Sequence, residues 1–464
     1  MGANRRASPA RRPPGARSGA SASHHARSAN RNRARRADGR VAPSPDAVRP
    51  ALLVRGTSAL RRILAFDAPA DLVLRRFFRE NPDLGRRDRG FVAESVFACL
   101  RRLRWYSHLA GERDARRLFI LAADRLPAPE RRELRPALNE DERTWLARCA
   151  DCTDAALPLG IRAELPDWVV ETLQTRLEHD PILAIGRAMQ SPAALDLRVN
   201  TERAERQDVL AALHASGIPA DATRYSPVGV RLESKPALEQ HPLYVTGAVE
   251  VQDEGSQLLG YLLAPRRREM VADFCAGAGG KTLLLGALMR SEGRLYAFDV
   301  SAHRIRRLHT RLARSGLSNV QPEMITHESD VRLKRLAGKL DRVLVDAPCT
   351  GFGTLRRNPD LKWRHEAGDL AALTEKQSSI LEAASRLLKP GGRLVYATCS
   401  FLPAENEDIV SAFLGRHPEF VSLDARNILA RQGIAIETGQ RLELLPQRHG
   451  CDGFYAAVLE RHAT

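Results

Sequence analysis

Two segments of this chain bring a cysteine to the end of an apolar run. "VLVDAPCTGFGTLRRNP", residues 343–359, carries Cys349, and "LVYATCSFLPAEN", residues 394–406, carries Cys399. In each, small residues precede the cysteine and a hydroxyl residue follows it. A thiol in such a position suits covalent catalysis, in which a thiolate adds to a carbon and so divides one difficult step into two easier ones. The thiol must be partly ionised, which a nearby cation or a helix N-terminus promotes. Asp346, three residues before Cys349, is an acid within reach of the same place. Lys281 can orient that acid or contact a substrate, or else point to solvent.

The elements that would position these groups are legible from about Val251 onward. "MVADFC", "RLYAFDV", "DRVLVDA" and "RLVYAT" read as short buried strands, with "KTLLLGALM", "AHRIRRLHTRLARSG" and "LTEKQSSILEAASRLLK" as the helices between them. This alternation predicts an α/β, Rossmann-like parallel sheet with helices on both faces. Such sheets bind ligands beyond the carboxyl ends of their strands. The first strand ends in "DFCAGAGGKT", a loop of Cys275, Ala276, Gly277, Ala278, Gly279, Gly280 and Lys281 that leads into a helix. Its glycines permit a tight turn and close approach of a ligand to the backbone. It does not fulfil the P-loop pattern. The second strand ends in Asp299, twenty residues beyond Gly279, where a carboxylate can accept from ribose hydroxyls or cap the next helix. At the third strand end Asp330 could bind an adenine amino group, with Glu328 as a competitor for that role. The pattern so far suits a cofactor carrying a ribose, either NAD or S-adenosylmethionine.

The fourth and fifth strands deliver Cys349 and Cys399 to the same crevice, and this convergence separates the classes. Hydride transfer has no need of two thiols. An amino-group methyltransferase would show an Asp/Asn-Pro-Pro-aromatic run here, which is absent. Methylation of a pyrimidine carbon does need a thiol, because C5 of cytosine is a poor nucleophile until a thiolate has added to C6. The acid at Asp346 would then hydrogen-bond the ring as it accepts electron density.

Bulk properties agree with a nucleic-acid partner. The formal net charge is +16 over 464 residues, which favours a polyanion. Twelve arginines and two aspartates fall in the first fifty residues, a tail poor in apolar residues and read as disordered, either binding RNA nonspecifically or merely solvated. Its Arg- and Ser-rich composition also resembles a transit peptide. Seven scattered cysteines form no disulfide framework and fit a reducing, cytoplasmic setting. No apolar run is long enough to span a membrane. Cys149 and Cys152 form a C-x-x-C without further ligands nearby, so no metal site is expected. Four parts are expected: a basic tail over 1–50, a helical domain over 51–192, a small α/β unit over 193–249 and the nucleotide-binding-type domain over 250–464. In the helical part, Val92, Val96, Cys99, Leu100 and Leu103 form an apolar stripe. Arg86, Arg87, Arg89, Arg101, Arg102 and Arg104 with Trp105 and Tyr106 are either an RNA-touching surface or a solvated face over core aromatics. Thr201 is expected to cap a helix running to about His214, after the strand "LDLRVN" and before a second strand, "VGVRLE".

Taken together, "VQDEGSQLL" (251–259), "DFCAGAGGKT" (273–282), "DAPCTGFGTLRRNPDLKWR" (346–364), "YATCSFLPAENE" (396–407) and "CDGFYAA" (451–457) resemble the RsmB/NOL/NOP/Sun group of RNA cytosine-5 methyltransferases. Within it, the length and the N-terminal region resemble the branch that acts on bacterial 16S ribosomal RNA. "LGRRDRGFVAESVFACLRR" (84–102) is similar to its all-α, NusB-like RNA-binding domain. The resemblance implies a class I methyltransferase domain, S-adenosylmethionine as cofactor, an RNA partner and a monomer. It implies that the loop from Cys275 to Lys281 holds the cofactor, with Asp299 on its ribose, Asp330 on the adenine side and Asp346 lining both sites. It also implies that Cys399 attacks and that Cys349 assists release. The loop departs from the commoner C-A-A-P-G-G-K at Gly277 and Ala278. Action on transfer RNA, or a non-catalytic role in ribosome assembly, are the competing expectations.

Overall fold

The computed structural model describes residues 47–128 and 131–462. The basic tail, but for its last few residues, lies outside them, and so do the expectations attached to it.

Helices fill the chain from Pro50 to Ala188. Those over Pro50–Ile63, Ala70–Glu80, Arg86–Arg101, Leu103–Ala110 and Ala115–Asp124 share one core built on Leu53, Leu60, Phe77, Val96 and Phe119. Val92, Val96, Cys99, Leu100 and Leu103 are all fully buried in it, as their helical spacing requires. Trp105 and Tyr106 lie in the same core, so they are not an RNA-stacking surface. The arginines around them are not a simple solvated face either. Arg101 is buried and donates to the Arg356 carbonyl at 3.3 Å. Arg104 donates to the Leu165 carbonyl and to Asp167, each at 2.7 Å. Helical periodicity turns these side chains outward from the core, but the surface they meet belongs to the rest of the chain and not to water. Cys149 is buried and Cys152 exposed.

Next come β1 (Leu195–Val199), β2 (Ala220–Ala222), β3 (Gly229–Leu232) and β4 (Val249–Val251). They form an antiparallel sheet in the order β2-β3-β1-β4. The helix between β1 and β2 covers Arg206–Ala215 and buries Val209 and Leu213. Thr201 does not cap it; Glu205 precedes it, and residues 201–203 form a turn. The reason is Asn200, whose Nδ2 donates to the Gly247 and Ser315 carbonyls at 3.0 Å. That anchor holds the chain against distant elements before a helix can begin.

The C-terminal sheet contains β5 (Met270–Asp273), β6 (Arg294–Asp299), β7 (Val320–Met324), β8 (Leu340–Asp346), β9 (Leu388–Thr398), β10 (Phe420–Leu423), β11 (Leu442–Leu444) and β12 (Phe454–Arg461). The order is β10-β12-β9-β8-β5-β6-β7, with β11 pairing β12 to one side. β5 to β9 are parallel, as expected. β12 and β10 add an antiparallel flank that the parallel-sheet expectation lacked, with Tyr455 opposite Thr398. β12 is buried on both faces along Phe454–Leu459, so it has no polar alternation to announce a strand. Since β5 is flanked by β6 on one side and β8 on the other, the winding reverses there. A crevice opens at that switch point beyond the strand ends. No helix among the described residues is long and apolar enough to cross a membrane.

Candidate active site

A cavity of about 430 Å³ occupies the crevice, lined among others by Asp273, Cys275, Gly277, Lys281, Asp346 and Phe454. The glycine loop forms one wall. Gly279 has φ +86°, and a Cβ there would come 2.2 Å from Leu308 Cδ1, so the position demands glycine on both counts. Asp299 braces the loop: its Oδ2 accepts from Gly277 N at 2.9 Å and its Oδ1 from Ser301 N at 2.7 Å. Ser301, not Asp299, caps the helix Ala302–Ser315. Asp273, at the end of β5, accepts from Thr282 Oγ1 at 2.7 Å, while its other carboxylate oxygen is buried without a hydrogen bond. Burial pushes this carboxyl up to about 7.

Lys281 turns inward, with its Nζ 2.6 Å from Asp346 Oδ2 and 5.5 Å from the centre of the Phe454 ring. Solvent exposure, the alternative for this residue, is not what the fold provides. Burial opposes the charge on Lys281, but the Asp346 carboxylate, its hydrogen bond and the nearby Cys399 outweigh it and hold the ammonium above the ordinary lysine range.

The two cysteines meet at the mouth of this cavity's strands, their Sγ atoms 3.4 Å apart. β8 and β9 are adjacent and parallel, Asp346 lying opposite Ala397, so loops fifty residues apart in sequence leave the sheet side by side. They are then stitched together. Glu405, fully buried, accepts from Thr350 N at 2.8 Å, Thr350 Oγ1 at 2.6 Å and Gln377 Nε2 at 3.0 Å. Gly353 N donates to the Cys399 carbonyl at 2.9 Å. A Cβ on Gly353 would lie 2.1 Å from the Gly453 carbonyl oxygen, so the two backbones can approach this closely only at glycine. The hydrogen bond with Cys399, then burial, push the Cys349 thiol well above its ordinary range.

The segment after Cys349 is clamped to the helical part. Lys362 Nζ is buried and donates to the carbonyls of Arg101 at 3.0 Å and Glu164 at 2.7 Å. Trp363 Nε1 donates to the Leu100 carbonyl at 3.1 Å, and Asp360 Oδ2 accepts from Ala70 N at 3.2 Å. Leu100 and Arg101 end a helix, whose last carbonyls have no partner within it and favour a cation. Burial pulls Lys362 down to about 8.

Asp330 follows β7 close to the end of β6: Ile325 N donates to the Asp299 carbonyl at 3.1 Å, and Thr326 N donates to Asp330 Oδ2 at 2.9 Å. It lines a separate shallow cavity with Thr326 and Arg332. Hydrogen bonds from Arg332 and from the Arg332 and Thr326 backbone hold it well below the usual carboxylate range. Glu328 pairs with Lys376 and Ser379, which bring it to about 2 against the effect of burial. The fold thus gathers Cys275–Lys281, Asp299, Asp346, Cys349 and Cys399, while the carboxylates of Asp330 and Glu328 are engaged by Arg332 and Lys376. Sequence reasoning assigned no role to Glu405, Arg357, Asp253, Asp452 or Phe454. Arg357 donates to Asp452 at 2.5 Å and Asp253 at 2.8 Å, tying three separate segments beneath the cavity. The available signal was that each of these residues lies in one of the quoted motifs.

Comparison with known proteins adds an independent line. Residues 260–460 match the family described as 16S rRNA methyltransferase RsmB/F. Residues 165–239 match the ferredoxin-like domain of RsmF/B-like methyltransferases. The chain is 34% identical to the ribosomal RNA small subunit methyltransferase B of Pseudomonas syringae pv. tomato over 63% of this chain and 70% of that one. It is 39% identical to the enzyme of the same name from Sodalis glossinidius over 64% and 66%. Among solved structures, a methyltransferase homolog protein from Pyrococcus horikoshii superimposes with a TM-score of 0.56 at 29% identity. It covers 67% of this chain and all of that one.

Proposed function

The chain belongs to the RsmB/F family of S-adenosylmethionine-dependent methyltransferases of small-subunit ribosomal RNA, and from that premise we propose that it methylates C5 of a cytosine through a covalent adduct with Cys399. The observation that carries this reading is the pair of thiols 3.4 Å apart on strands that also deliver Asp346. Neither amino-group nor ribose methylation requires such a pair.

The loop fits the cofactor's class. A Cβ on Gly277 would meet nothing within 4 Å, so the cradle has open space where a ligand would lie against the backbone. Gly277, Gly280 and Lys281 would hold it, with Asp299 toward its ribose. Asp330, after β7, would stand toward its adenine side. S-adenosylmethionine supplies the methyl group as an electrophile.

The protein's own part runs as follows. Cys399 adds as thiolate to C6 of the cytosine. The Asp346 carboxylate accepts from the ring's amino group and orients Lys281, whose ammonium donates to the ring as density moves toward N3 or O2, and C5 becomes nucleophilic. After methylation a base takes the C5 proton and the Cys399 sulfur leaves C6, restoring the double bond. Cys349, whose thiol stays protonated at neutral pH, stands beside the leaving sulfur and assists release. The helical part, similar to a NusB-like domain, contributes to docking the RNA. Bisulfite sequencing of ribosomal RNA from a deletion strain tests the reading: loss of methylation at one small-subunit cytosine, restored by the parent gene and not by C399A, is expected. An unchanged pattern in the deletion strain overturns it.

A further inference from the structure

A second cavity, of about 400 Å³, lies between the Cys399 loop, the helix His179–Ala188 and the β11–β12 hairpin. Ser400 and Phe401, the two residues after Cys399, line it. Phe454 lines both this cavity and the one holding Lys281 and Asp346. One side chain therefore stands between them, at the same carboxyl edge of the sheet. The chemistry proposed above makes no use of this second space.

Its lining combines flat apolar surface with free polar edges. Phe401 is half-buried, while the consecutive strand residues Phe454 and Tyr455, both buried, close the floor. Tyr455 is 1% exposed, and its hydroxyl lies beside Arg441. Glu407 and Glu443 add carboxylates that form no ion pair among the described residues, and the exposed Gln447 and Arg448 stand at the mouth. Rings stack on bases. Carboxylates and an amide oxygen accept from exocyclic amino groups. A rim guanidinium suits a phosphate.

We infer that this cavity receives the base of a nucleotide next to the target cytosine in the same RNA strand. It favours a base with an exocyclic amino group (adenine, guanine or cytosine) over uracil. A strand that delivers its cytosine past Phe454 must lay its neighbour along this edge. The inference rests on the methyltransferase reading, and the experiment separates the two.

The full chain is assayed on transcribed 16S ribosomal RNA, and methylation by the parent protein is measured first. If the parent methylates no cytosine, both readings fall. With methylation established, p-benzoylphenylalanine placed at Gln447 is photo-crosslinked to the RNA and the adduct mapped by reverse transcription. A crosslink at the nucleotide adjoining the methylated cytosine is expected. Q447A and R448A, both at exposed positions, should raise the KM for RNA by about tenfold, within the range of a lost base contact, and leave the KM for S-adenosylmethionine unchanged. Changing the neighbour to uracil should have the same effect in the parent and little further effect in either variant. Crosslinks only at distant nucleotides, or an unchanged KM for RNA in both variants, overturn the subsite and leave the catalytic reading standing.

Discussion

The sulfurs of Cys349 and Cys399 lie 3.4 Å apart, and one residue further on the hydroxyls of Thr350 and Ser400 lie 3.3 Å apart. The match continues past the thiols because adjacent parallel strands release their loops in register, and Glu405 then binds the first loop from within the second. Two thiols held this way can act in sequence on one ring carbon and its neighbour.

Replacing each thiol should give different outcomes. C399A removes the proposed attacking group and is expected to lower methyl transfer by about 10⁴-fold or more. C349A should still attack, then accumulate a protein–RNA adduct resistant to SDS. Gel analysis with labelled RNA checks both, and an adduct in C399A with none in C349A would reverse the assignment.

The Lys281–Asp346 pair is next. D346N leaves a buried ammonium without its carboxylate, and K281M leaves the acid without its orienting partner. Each should lower kcat by about 10²–10⁴-fold. Because Asp346 keeps some exposure to solvent, D346N should cost only about 1–2 kcal/mol of stability. Urea unfolding alongside steady-state kinetics distinguishes a chemical loss from a folding loss.

Gly279 tests the cofactor cradle. G279A must hold φ +86° and displace the fully buried Leu308, a combined cost of about 2–4 kcal/mol. The affinity for S-adenosylmethionine should fall with it, as measured by calorimetry. Unchanged binding would place the cofactor away from this loop.

Lys362 tests whether the helical part supports the site. K362M leaves the Arg101 and Glu164 carbonyls without their buried donor, at about 1–3 kcal/mol each. The loop behind Cys349 should loosen, lowering kcat while the affinity for S-adenosylmethionine, proposed to bind against the glycine loop, is retained. Equal loss of both would indicate general unfolding.

Asp273 supplies a pH signature. Its carboxyl is pushed up to about 7 by burial, whereas an unfolded aspartate titrates near 3.9. Between about pH 4 and pH 7 the folded state therefore binds more protons than the unfolded one, and this group makes stability fall as pH rises through that window. D273N should remove the fall, leaving the variant on the order of a few kcal/mol less pH-dependent than the parent across the window. Denaturation at several pH values checks it; parallel curves for the two proteins would sink the account.

Much of the site is legible in the residues themselves. Gly277, Gly279 and Gly280 mark a turn that only glycine makes freely, and Cys349 and Cys399 end strands whose apolar runs are unmistakable. Local steric demands and strand periodicity reach only a few residues, and these features need no more. The Arg101 and Arg104 side chains and the aromatics Trp105 and Tyr106 are legible in the sequence only as a choice. Helical spacing says which face is apolar, not what the other face meets. The partners of Asp330 are hidden for a related reason: its position after a strand is a matter of sequence, but Thr326 and Arg332, which occupy its carboxylate, are brought to it by the folded loop.

The division has one physical source. Residue type and spacing along the chain determined the chemistry on offer: thiols, acids and a glycine cradle at the ends of parallel strands. Tertiary structure decided how closely these groups meet and what holds them, because that depends on strand order and on long-range hydrogen bonds. It put β8 beside β9, so the two sulfurs touch. It turned Lys281 onto Asp346 and sent Lys362 onto the Arg101 carbonyl, at the end of a helix more than 250 residues earlier. It also set Phe454 between two cavities, on a strand that no periodicity announced.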